Sequence, residues 1–132
     1  MCIMRRPVPL ASLFSPRDIV LYGVLAALIA AAAFATRPSG RSHGRFLVVG
    51  ATTFAGWLAW NFTLNATNAR GFNVDAPVIR LSWADAGSGV MTFVVTALVL
   101  GLATERASPA RDVVGVAAIA GVLAAFVDLF VL

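Results

Sequence analysis

The stretch that decides the fold is Trp57-Leu-Ala-Trp-Asn-Phe-Thr-Leu-Asn-Ala-Thr-Asn-Ala-Arg-Gly-Phe-Asn-Val-Asp-Ala-Pro-Val-Ile-Arg-Leu-Ser-Trp-Ala-Asp85. It is the longest polar passage in a chain that is otherwise almost all hydrocarbon. Its edges carry Trp57, Trp60 and Trp83, the only tryptophans. An indole ring is apolar with one N–H donor, so it favours the boundary between membrane and water. The three tryptophans therefore read as interface anchors. The passage between them reads as one membrane face, where Asn61, Asn65, Asn68, Arg70, Asp75, Arg80 and Asp85 gather as candidates for partner or ligand contact.

Composition agrees with that reading. Of 132 residues, 60% are hydrophobic and 12% charged. A soluble domain carries about 25% charge, so the class is an integral membrane protein. All ten basic residues are arginine, and the net charge is +4. They sit in short segments beside apolar runs, which suits a membrane surface and gives no ground for a nucleic-acid partner. One cysteine, Cys2, and one histidine, His43, allow no internal disulfide and none of the usual His/Cys metal sites. No cofactor is called for.

Outward from the polar passage, four apolar spans are expected at about 17–36, 46–66, 84–103 and 112–131, within a single domain from 15 to 132. Each has roughly the 20 residues that cross a hydrocarbon core. The fold class is an all-α, four-helix transmembrane bundle with short basic loops and one longer structured loop between spans two and three. Residues 1–14 carry Arg5, Arg6 and two prolines and read as a retained interfacial tail rather than a cleaved signal.

Two helix starts are written plainly. Ser15-Pro16-Arg17-Asp18 supplies a capping serine, a proline at the first position and an acid at the third. Ser82-Trp83-Ala84-Asp85 repeats the capping logic. Ser108-Pro109 opens the fourth span in a similar way, which reads as convergent capping and not as an internal repeat.

The second span is apolar to Trp60, then meets Asn61, Asn65 and Asn68. Their spacing puts all three on one face if the helix runs on, and Phe62 and Leu64 favour that it does. Between 69 and 81, Gly71 and Pro77 break helices, and Val74, Val78, Ile79 and Leu81 suggest an extended segment.

Small residues recur on two spans, at Gly23, Ala27, Ala30 and Ala33 and at Gly115, Ala118, Gly121 and Ala125, as faces for close helix contact. Asp85, Ser88, Thr92 and Thr96 form one polar stripe at helical period. The stripe reads as hydroxyl bonding between helices, with a pore lining as the alternative. Asp128 stands in an apolar run, where an uncompensated carboxylate costs about 2.5–3.5 kcal/mol. It reads as a hydrogen-bonded group near the interface, with a proton or cation relay as the alternative. Arg37, Arg41 and Arg45 surround the first loop and are candidates for lipid headgroups. Arginines divide evenly between the two sides, so the positive-inside rule leaves orientation open.

Arg45-Phe46-Leu47-Val48-Val49-Gly50-Ala51-Thr52 resembles the opening of GtrA-like membrane proteins, small four-span proteins linked to lipid-carried sugars. In that family the stretch opens the first span; here it opens the second. No functional residue transfers with the resemblance.

No phosphate-cradling glycine loop, nucleophile elbow or paired-histidine helix motif occurs. An enzyme is disfavoured and no catalytic residue is assigned. The leading expectation is a non-catalytic accessory subunit whose partners are other membrane subunits, or copies of itself, and membrane lipids. A homo-oligomeric transporter or channel for an ion or small solute comes second. A lipid-binding or lipid-modifying protein comes third.

Overall fold

The computed structural model describes residues 15–38, 44–67 and 82–131. The chain is an all-α membrane bundle of four long helices: α1, Pro16–Ala35; α2, Arg45–Thr67; α3, Trp83–Val99; and α4, Ala110–Val131. Each is long and apolar enough to cross a bilayer, α3 together with the turn Leu100–Thr104 that continues it. The protein is therefore multi-pass.

Local chemistry sets the helix starts. Ser15 Oγ accepts the Asp18 N–H at 3.2 Å, and Pro16 spends no donor in the first turn. At α3 the cap is reciprocal: Asp85 N–H reaches Ser82 Oγ at 3.1 Å and Ser82 N–H reaches Asp85 Oδ2 at 2.9 Å. The α4 start differs from the expected Ser-Pro pattern. Val113 N–H bonds the Pro109 carbonyl, where the equivalent bond in α1 runs from Ile19 to Ser15. Pro109 thus holds the capping position that Ser15 holds in α1, so the two openings are one residue out of step.

α2 runs unbroken through Asn61 and Asn65 to Thr67. The end of α3 widens into a π turn over Leu100–Thr104, closed by Glu105 N–H on the Leu100 carbonyl at 2.7 Å. Nothing in the sequence pattern announced it.

The helices pack in chain order, α1 on α2, α2 on α3 and α3 on α4, with α4 closing more lightly on α1. The termini of α1 and α4 that lie beside residues 67 and 82 form one rim, here called the tryptophan rim. The opposite rim carries the two arginine-rich connections. Near it an apolar cluster joins Ala30, Phe34, Val49, Leu100, Val116 and Ala120. Towards the tryptophan rim a second cluster joins Ile19, Ala26, Trp57 and Val127.

Close approaches fall at glycines. A Cβ on Gly56 would stand 2.7 Å from Thr92 Cα, and one on Gly89 2.8 Å from the Gly121 carbonyl oxygen. The small-residue face of α4 is displaced from the expected one. Gly121 is buried and Ala125 half-buried, while Gly115 and Ala118 face outward. The side turned inward is instead Val116, Ala117, Ala120, Ala124 and Val127.

Several expectations lie outside the described residues: the tail 1–14, Arg41, Asn68, Arg70, Asp75, Arg80 and the connection at 69–81.

Candidate functional site

Asp128, Ser88, Asn61 and Trp57 meet as a belt towards the tryptophan rim. Asp128 lies on α4 only three residues before Val131, about 5 Å along the axis. It is buried, and Ser88 Oγ of α3 donates to its Oδ2 at 2.5 Å. Asn61 of α2 sends its amide N–H to the Trp57 carbonyl at 3.0 Å and to Ser88 Oγ at 3.4 Å. The Trp57 carbonyl can only accept, which fixes the amide orientation of Asn61. Ser88 therefore accepts from Asn61 and spends its proton on Asp128. Trp57 then carries the chain onward, donating its indole N–H to the Ile19 carbonyl of α1 at 2.9 Å.

One hydrogen-bonded belt thus touches all four helices: Asp128 on α4, Ser88 on α3, Asn61 and Trp57 on α2, and Ile19 on α1. Each link satisfies a polar group that hydrocarbon would leave unpaired. Beside it, Trp60 Nε1 donates to the Ala84 carbonyl at 2.8 Å, tying α2 to α3 again.

This changes the reading of the tryptophans. Trp83 is exposed at the start of α3. Trp57 is not an anchor: it is fully buried, and Gly23 makes room for its ring, since a Cβ there would come within 2.8 Å of Cδ1. Trp60 is half-buried against Gly87. The indole N–H that suits an interface also suits a carbonyl of the next helix, and here the carbonyl wins.

The stripe of Ser88, Thr92 and Thr96 is wholly buried, so all three face inward. Thr96 Oγ1 donates to Thr52 Oγ1 at 2.9 Å, and Thr52 donates to the Val49 carbonyl at 3.1 Å. The Thr92 and Thr53 hydroxyls have no hydrogen-bond partner among the described residues. Below this tier the interior is closed by Val49, Leu100, Val116 and Ala120. An apolar plug therefore lies between the buried polar side chains and the other rim. Asp85 caps α3 and is half-buried, and Asn65 is half-buried near the end of α2.

At the basic rim, Arg45 forms a fork on Glu105, with Nε to Oε1 at 2.5 Å and a terminal nitrogen to Oε2 at 2.9 Å. This pair joins the start of α2 to the residue after the π turn. Arg45, expected to meet lipid headgroups, is thus held by a carboxylate, whereas Arg37 is exposed.

Three contributors were not singled out from sequence: Thr52, Thr53 and Glu105. Thr53, Trp57 and Asn61 recur at a spacing of four, and that spacing is the signal that identifies the inward face of α2. Glu105 carries no comparable local signal. Among the described residues no three His, Cys, Asp or Glu side chains converge as metal ligands.

No protein-family model matches the chain, and no match is found among curated proteins or solved structures. The eight-residue likeness to GtrA-like proteins accordingly carries no argument about fold or function.

Proposed function

We propose that the protein is a non-catalytic packing subunit of a larger assembly in the cell membrane, and that α3 and α4 present its docking face. The observation that carries this is an outward groove of about 350 Å³ between those helices. Five of its eight lining residues are small, Ala86, Gly89, Ala118, Gly121 and Ala125, beside Val90, Phe93 and Val122. In a bilayer, helices gain nothing from hiding hydrocarbon, so they associate where small residues let backbones approach. A groove lined mainly by glycine and alanine on the outward side suits another transmembrane helix. The interior supports the same reading, because the belt uses its polar groups on one another.

A photo-crosslinker at Val122, in the native membrane, tests this. A discrete adduct with another membrane protein, reduced by Ala118→Leu, is the expected result. Labelling of lipid alone would remove the docking face.

A second reading has its own observation. Asp128 is buried in a span, and the unpaired hydroxyls of Thr53 and Thr92 lie farther into the bundle. Those features favour a transporter or channel in which Asp128 relays a proton or cation. The apolar plug weighs against it, because a path through the bundle needs that plug to open.

A further inference from the structure

The basic rim contains a pocket that the packing role does not use. It has a volume of about 390 Å³, and Arg45, Thr104, Glu105, Arg106 and Ser108 supply its polar lining. Three features organise it. Glu105 closes the π turn at the end of α3 and pairs with Arg45. That fork occupies two nitrogens of Arg45 and leaves the remaining guanidinium N–H groups to point elsewhere. Arg106 lines the pocket with its Nε on the Leu102 carbonyl, and its two terminal nitrogens carry the remaining guanidinium donors.

Two guanidiniums against one carboxylate give the pocket a net positive charge. Arg45 is the first residue of α2 and Ser108 stands just before α4, so two helix N-termini lie at this rim, opposed by the C-terminal end of the turn that continues α3, at Ala103 and Thr104. Serine and threonine hydroxyls complete a set of donors for a tetrahedral anion. The rim lies where the helices leave the hydrocarbon, at the depth of phospholipid headgroups.

We propose that this pocket binds a phosphate group, with Arg106 as its main charged contact and the Arg45–Glu105 fork as its wall. An anionic phospholipid headgroup and a free phosphate share that chemistry. The proposal stands independently of the docking face on α3 and α4.

Native mass spectrometry of delipidated protein in detergent tests it, with phosphatidylglycerol as probe and phosphatidylcholine as reference. Phosphatidylglycerol should be retained with about tenfold preference, the scale of one charge-assisted contact. Arg106→Gln should abolish the preference. Arg111→Gln should leave it intact, because Arg111 is exposed on the same rim but does not line the pocket. Displacement of the lipid by millimolar inorganic phosphate would assign the pocket to a free anion, and failure to displace it would assign the pocket to the headgroup. Absence of any preference together with absence of phosphate binding would overturn the proposal. Equal loss in the two variants would also overturn it, because it would reduce the effect to general surface charge.

Discussion

A carboxylate among transmembrane helices needs a donor, and Asp128 finds one in Ser88. Its place one turn from the end of α4 lowers the cost further, since burial of charge is most expensive at the bilayer centre. Ser88→Ala removes the donor and leaves the buried acceptors unpaired. It should destabilise the bundle by about 1–3 kcal/mol, measured by reversible SDS titration in mixed micelles. Asp128→Asn keeps an oxygen facing Ser88 and removes the charge, so stability should be retained. The same variant separates the two functional readings: loss of proton or cation flux in liposomes would favour the relay, and unchanged flux would leave Asp128 as a belt member. A Ser88→Ala protein as stable as the wild type would contradict the belt.

At the scale of elements, helix existence and helix packing had different legibility. The capping serines, the asparagine spacing and the Ser88/Thr92/Thr96 stripe could be read from local pattern, because caps and periodicity are properties of one helix. Which helix an inward face meets is not local. Asn61, Ser88 and Asp128 were each visible as polar residues in apolar spans, but their convergence depends on the antiparallel register of α2, α3 and α4. The displaced face of α4 has the same origin: small residues lie nearly all round that helix, so their spacing could not select one side. The Gly89–Gly121 crossing makes a sharp prediction. A methyl group on Gly89 would meet the Gly121 carbonyl, so Gly89→Ala should cost about 1–3 kcal/mol in the same titration. Gly115→Ala should be neutral or stabilising by about 0.5–1 kcal/mol, since nothing lies within 4 Å of its added carbon and alanine is the better helix former. Equal effects at the two glycines would deny that α3 and α4 touch there.

The whole molecule is a multi-pass bundle whose polar interior is turned on itself at one rim and plugged with hydrocarbon towards the other. Its class was legible from the scarcity of charge alone; the burial of Trp57 and Asn61, expected at the rim, was not, because it depends on the facing helices. Its role is less legible because the outside of the bundle is leucine, valine and alanine, which serve a partner helix and lipid equally well. The most direct measurement of the central claim is the mass of the complex extracted from its native membrane in a mild, lipid-retaining polymer. A stoichiometric companion chain, lost when Ala118→Leu fills the α3–α4 groove, is the predicted result. Recovery of this chain alone, with the wild type and the groove-filled variant indistinguishable, would contradict the account.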